Sequence, residues 1–428
     1  MARQRAVARA FAAAALVAAG CANRPNDRRT TVTFWGMGRE GEVVRQLVGD
    51  FDRANPDLHL AVQQIPWTSA HEKLLTAFVG KSTPDLGQLG NTWIPEFAAI
   101  GALQKLDAHL AGSRALAPAD FFSGIWKGSL YDGAAYGIPW YVDTRVLFYR
   151  PDFLARAGFS EPPRSWPDWL DAMRRIQAFQ GSSGHPILLP TNEWEQVTIL
   201  GLQQGSGLLS PDGTQGAFGQ PPFAAAAGFY VGLFRAGLAP LVSYTQIGNA
   251  YQEFARGTIA MWITGPWNLG EFRRRLPPDQ QKLWATAPLP APQASAWPGT
   301  SFAGGSSLAV FRASPRAGEA WRVIEFLSRP AVQVRFYALS GDLPARTAAW
   351  EDSALAADPK ARAFRTQLEH VAPMPQVAEW EQIAQKIPED LEPAIRGRED
   401  IGAALAALDR DVDNMLEKRR WMLSRRKP

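Results

Sequence analysis

The chain of 428 residues contains a single cysteine, Cys21, so no disulfide can form within it and the fold must rest on packing. Histidine is scarce as well. His59, His71, His109, His185 and His370 form no HExxH and no close ligand pair, which leaves a metal centre with little support. There is no GxSxG elbow, no GxxxxGK[ST] phosphate loop and no GxGxxG turn, and no cofactor is expected. Carboxylates are plentiful, so a glycosidase-type pair of acids, which can be far apart in sequence, stays open as an alternative. Long hydrophobic runs are also lacking: Ala10 to Ala19 is wholly apolar but falls well short of the roughly 20 residues that a membrane-spanning helix needs.

That run follows Arg3, Arg5 and Arg9 and leads into the small residues Ala18, Ala19 and Gly20, the pattern of an export signal over 1–20. A thiol at the new N-terminus can carry a thioether-linked lipid, and the segment ending at Cys21 looks like a bacterial lipobox, with Ala18 where that pattern prefers Leu. The alternative is an ordinary secretory signal with an incidental cysteine. Residues 21–30 then read as a polar tether to a bacterial membrane, facing the periplasm or extracytoplasmic space. The formal net charge of +4 falls to +1 once the three signal arginines are set aside. Much of the remaining basicity sits in the tail, at Lys418, Arg419, Arg420, Arg425, Arg426 and Lys427, and reads as a solvated terminus or as contact with anionic lipid. Neither reading implies nucleic acid.

A mature chain of about 400 residues exceeds one comfortable hydrophobic core, so two lobes are expected. The β-rich Thr31-Val32-Thr33-Phe34-Trp35 is followed by Val44, Leu47, Val48 and Phe51 at helical spacing, then by the alternating Leu58, Leu60 and Val62. That is a βαβ unit with parallel strands, which puts the loop after Trp35 at the ligand-binding edge of an α/β sheet. Ser69 and Glu72 have capping-box spacing and predict a helix start, with Gly80 as a left-handed stop. Asp132-Gly133 predicts a hairpin turn, Ser165 a helix cap, and helices are expected near 193–204, 221–236, 248–256, 315–328 and 330–340. Strands early, helices in the middle and strand-like runs again late suggest one lobe interrupted by another.

Tryptophan is abundant, 16 residues, and Trp35, Trp67, Trp93, Trp140 and Trp267 lie close to Gly, Pro or Asn at predicted strand ends and turns. An aromatic face offers a flat apolar plate to the CH-rich side of a pyranose, while nearby carboxylates, amides and guanidinium groups bond its hydroxyls. Against this stands core packing, the better account for helix-face cases such as Trp169 and Trp321.

The run Thr33-Phe34-Trp35-Gly36, the FDRANP segment from Phe51 to Pro56, the helix near Ser69, Gly90-Asn91-Thr92-Trp93, Pro139-Trp140-Tyr141-Val142-Asp143 and Met261 to Trp267 occur in that order. Together they resemble extracellular solute-binding proteins of the maltose/trehalose type, receptors of bacterial ABC importers, across nearly the whole mature chain. The resemblance implies an α/β, two-lobe periplasmic-binding-protein fold with crossing hinge segments and a helical C-terminal region. It implies lobe 1 over 31–143 and 300–345, and lobe 2 over 144–299 and 346–428. A small carbohydrate, with trehalose or maltose first, would lie between the lobes of a monomer and pass unchanged to the transmembrane permease subunits. Tyr141 and Asp143 carry over from the family's PWYxD segment, Trp267 from its GPW turn and Arg346 from Leu343-Pro344-Ala345-Arg346. Glu40 stands near a binding acid of the family, although MGREGE could place Arg39 there instead, and Asn91 replaces an acid common nearby. The expected ligand-binding set is therefore Trp35, Arg39, Glu40, Trp67, Asn91, Trp93, Trp140, Tyr141, Asp143, Trp267, Gly305 and Arg346, with hinge motion near Asp143–Thr144 and over 300–305.

Overall fold

The computed structural model describes residues 29–425. The expected signal over 1–20, Cys21, the tether up to residue 28, and Arg426 and Lys427 lie outside the described residues. Among the described residues fourteen strands follow in chain order: β1 (Thr30–Met37), β2 (Leu58–Ile65), β3 (Leu86–Gly90), β4 (Leu130–Tyr131), β5 (Ala134–Ala135), β6 (Ile138–Asp143), β7 (Val146–Tyr149), β8 (His185–Leu188), β9 (Ile259–Thr264), β10 (Ala285–Ala287), β11 (Ser301–Phe302), β12 (Gly304–Val310), β13 (Leu343–Pro344) and β14 (Val371–Ala372). They build a six-stranded sheet in the order β13-β6-β12-β3-β1-β2, a four-stranded sheet in the order β10-β7-β9-β8, and two small ribbons.

The expected βαβ unit forms: β1 and β2 run parallel from Thr30↔Leu58 to Met37↔Ile65, joined by the helix Gly38–Ala54 with Val43, Val44, Leu47 and Phe51 buried. Ser165 caps the helix Trp166–Gln180 through the Asp168 amide, and Asp132-Gly133 turns β4 into β5 with positive φ at both residues. The helix expected from Ser69 starts two residues earlier, at Trp67, because extended Pro66 ends the preceding strand segment and frees Trp67 to begin the first turn. Its stop also differs. Gly80 keeps φ at −77°, and Lys81 takes the positive φ that lets the Ser82 amide reach back to the Ala77 carbonyl at 2.9 Å.

Strand directions decide what meets at the cleft. In the first sheet β1, β2, β3 and β6 point the same way while β12 and β13 run against them, so Met37, Gly90, Asp143, Gly304 and Leu343 all lie at one edge. In the second sheet β8 and β9 end, and antiparallel β7 begins, at another common edge, where Val146 pairs with Thr264. The chain crosses from first sheet to second through Thr144-Arg145, between β6 and β7, and returns between β11 and β12. Gly305 does not behave as a free hinge. It is paired with Val142 inside β12 at φ +132°, and a Cβ there would run into the Tyr141 carbonyl, so only glycine lets the two strands approach.

Beyond β13 the short helix Thr347–Glu351 still packs on the first sheet's side: Trp350 Nε1 donates to the Pro344 carbonyl at 3.0 Å and its ring meets Phe122 edge-on. The chain then supplies the helices Pro359–Gln367, Trp380–Ile395 and Ile401–Met415, whose apolar faces complete the second lobe's core with Trp380, Ile383, Leu405 and Leu408. The tail helix Glu417–Ser424 buries none of its residues, yet Arg420 donates to the Thr214 and Asp413 carbonyls at 2.7 and 2.6 Å.

Candidate functional site

The two edges face each other across a cleft of about 480 Å³. On the first side its floor is a hydrogen-bonded relay. The Met37 amide donates to Gln88 Oε1 at 2.8 Å, Gln88 Nε2 donates to the Tyr141 hydroxyl at 3.0 Å, and that hydroxyl donates to Glu40 Oε1 at 2.9 Å. Ser306 adds a bond to Tyr141 at 2.9 Å and Trp67 Nε1 another to Glu40 at 3.2 Å. Burial nevertheless pushes the Glu40 carboxyl up, the hydrogen bonds only partly offsetting it. Asp342, also buried, is pushed far above the ordinary carboxylate range by burial and by the neighbouring Glu40 charge. Two acids thus stand close enough to oppose each other's ionisation.

Aromatic side chains form the walls. Trp67 and Trp93 meet edge-to-face at 5.7 Å, with His71 at 5.2 Å behind Trp93. Trp194, Trp267 and Phe302 line the opposite side. Glu381, at the start of the helix Trp380–Ile395, lines the cleft together with Thr92 and Trp93 of the first side, and burial pushes its carboxyl up. At the junction, Arg145 bonds Asp143 and Glu195 at 2.6 and 2.8 Å. Burial lifts the Asp143 carboxyl against the pull of that guanidinium. The arrangement offers flat apolar faces rimmed by carboxylates, amides and guanidinium groups, the donor and acceptor set for a polyhydroxylated ring.

Of the residues expected from sequence, Arg39, Glu40, Trp67, Asn91, Trp93, Tyr141, Asp143, Trp267 and Gly305 line this cleft. Arg39 is exposed at its rim, bonded to Glu42, while Glu40 reaches the floor. Three residues are elsewhere. Trp140 is fully buried against Phe336 at 4.5 Å, because it alternates with Tyr141 along β6 and faces the core. Trp35 is half-buried, packed against the cluster of Met37, Ile65, Ala70 and Leu74 beneath the helix Trp67–Val79, with Lys73 Nζ 5.1 Å from its ring centroid. Arg346 bonds the Ala115 carbonyl at 3.0 Å and Asp120 at 3.2 Å, behind the first sheet. From the same segment Asp342, just before β13, is the residue that reaches the cleft. Trp194, Glu195, Glu271, Arg274, Phe302 and Glu381 also line it without having been expected. Trp194, two residues after Asn192, falls within the span 193–204 expected to be helical, but stands just before the helix Glu195–Gln203 begins. Among the described residues no group of three or more His, Cys, Asp or Glu is placed to hold a metal ion, and no helix is long and apolar enough to cross a membrane.

A two-lobed α/β fold with its candidate site between opposed sheet edges defines a ligand receptor architecture. Residues 36–334 match the model of the bacterial extracellular solute-binding proteins, and the chain belongs to that family. The solved structure of the sugar-binding protein MalE from Xanthomonas citri is similar over 93% of this chain and 100% of its own, with 46% identity and a TM-score of 0.88. The diacetylchitobiose binding protein DasA of Streptomyces coelicolor is 27% identical over 291 residues, 67% of this chain and 66% of that protein. A lactose-binding protein of Rhizobium radiobacter is 24% identical over 333 residues, 76% of this chain and 75% of that protein.

Proposed function

We propose that this protein is the sugar receptor of an ABC importer: it encloses a small α-glucoside, trehalose or maltose first, between its lobes and hands it unchanged to the permease. The observation that carries the reading is the cleft itself, where Trp67, Trp93, Trp194 and Trp267 flank Glu40, Tyr141 and Asp143. The likeness to a sugar-binding protein at 46% identity supports it. Lobe 1 comprises 31–143 and a second segment from 300, lobe 2 the remainder. The packing of Trp350 on Phe122 supports ending that second segment near 351, beyond the 345 expected from sequence. The receptor works as a monomer, anchored to a bacterial membrane by a lipid on Cys21 and facing the periplasm or extracytoplasmic space.

The test is a thermal-shift and calorimetric panel of trehalose, maltose, lactose and chitobiose on the purified protein. A saturable shift with an α-glucoside supports the reading, and a flat response to every sugar overturns it. Prolonged incubation with the bound sugar separates receptor from carbohydrate-active enzyme, since release of monosaccharide beyond one equivalent would require turnover.

A further inference from the structure

Arg145 lies in the first crossing segment, and its contacts run to both lobes. The guanidinium donates through Nη1 to Asp143 Oδ1 at 2.6 Å and through Nη2 to Glu195 Oε1 at 2.8 Å. Asp143 closes β6 of the first sheet, whereas Glu195 opens the helix Glu195–Gln203 on the other side of the cleft. The same guanidinium lies over the Trp267 ring, 4.6 Å from its centroid, and over Phe302 at 5.2 Å. Its backbone amide donates to Ser301 Oγ at 3.1 Å, joining the first crossing segment to the second. Gly265 leaves the space for this stack, because a Cβ there would lie 2.6 Å from Arg145 Nη1 and closer still to the indole of Trp267.

We infer that Arg145 is a positioning residue that couples the orientation of the lobes to the geometry of the ligand site. The inference rests on the reading of the cleft as a sugar site. Its side chain is only 7% exposed, and a guanidinium cannot shed its charge. Rotation about Thr144 that draws Asp143 away from Glu195 must either break one arm of the fork or swing the guanidinium off Trp267. A buried cation that loses a partner carboxylate is left uncompensated, so intermediate lobe angles are disfavoured relative to the arrangement in which both arms are made. The rigid planar fork also fixes the Asp143 carboxylate and the indole of Trp267 relative to one another, two groups that come from opposite lobes.

The test uses spin labels on the Cys21→Ser chain at Glu72→Cys and Gln252→Cys, one on each lobe, with pulsed dipolar distances measured without sugar and with trehalose or maltose. Arg145→Gln and Glu195→Gln are expected to broaden the ligand-free interlobe distribution, and Arg145→Lys to broaden it less. Arg145→Gln should also weaken binding of whichever sugar the parent chain takes by tenfold or more. A role in folding alone would lower the melting temperature and leave the distances unchanged, and distributions coinciding with the parent's overturn the inference. Glu195→Gln, which keeps shape and leaves the Arg145–Asp143 pair, decides the matter should Arg145→Gln fail to fold. If the parent binds no sugar, the receptor reading falls and the ligand-free distances still decide on Arg145.

Discussion

The hydroxyl of Tyr141 donates to the carboxylate of Glu40 at 2.9 Å and is itself the acceptor for Gln88 and Ser306. A helix start and a strand end are thereby locked together at the cleft floor, with every lone pair and proton of the phenol assigned.

Tyr141→Phe keeps the ring and removes that lock. Glu40 loses a donor while Gln88 and Ser306 lose an acceptor, so sugar affinity is expected to fall by about 1–2 kcal/mol, roughly tenfold, with a smaller drop in melting temperature. Isothermal titration of both proteins checks it, and equal affinities would remove Tyr141 from the site.

Asp143→Ala deletes an acid that faces the cleft and leaves Arg145 with Glu195 alone. The expected cost is on the order of 1–3 kcal/mol of binding free energy. Unchanged affinity in a folded variant would move the site elsewhere.

Two tryptophans should separate binding from stability. Trp67→Ala removes a 37% exposed cleft wall and is expected to weaken sugar binding with little change in melting temperature. Trp140→Ala empties a fully buried position and is expected to cost about 3–5 kcal/mol of stability. Denaturant unfolding alongside titration distinguishes the two patterns.

Burial, then the charge of Glu195, lifts the Glu193 carboxyl to about 7 from its ordinary 4.5, against the opposing pull of Arg145. The folded state therefore holds this proton more tightly than the unfolded chain. Its contribution to stability is complete below about pH 4.5 and is lost as pH rises through about 7. Glu193→Gln should flatten that part of the profile, so the melting temperature of the variant relative to the parent rises between these limits. A constant difference across the range would contradict the assignment.

Ligand that touches both sides of the cleft favours approach of the lobes by its differential affinity for the closed arrangement. Small-angle scattering with saturating sugar is expected to show a smaller radius of gyration. An unchanged radius and unchanged interlobe distances would count against closure.

The βαβ unit, the Ser165 cap and the Asp132-Gly133 turn were legible because each depends on a few neighbouring residues. The lining of the candidate cleft was readable where a strand end and a cleft residue coincide, as at Tyr141 and Asp143. Trp140 and Trp35 show the limit: a strand's two faces differ by one residue, and proximity to Gly or Pro does not say which face meets the cleft. Arg346 and Asp342 differ by four positions, and their exchange of roles depends on how β13 pairs at the sheet edge. Glu381 comes from a helix far along the chain, so no local pattern could have brought it to Trp93.

Strand β12 lies between β3 and β6 in the first sheet, yet the whole second sheet is encoded before it. During synthesis the ribosome must therefore release every strand of the smaller sheet before the larger one can receive its central member. Until then β3 and β6 have no partner between them, and the nascent N-terminal half cannot complete its cooperative unit. An interrupted topology of this kind delays compaction of the larger sheet until residues 304–310 have been made, although most of its other strands come from the first third of the chain.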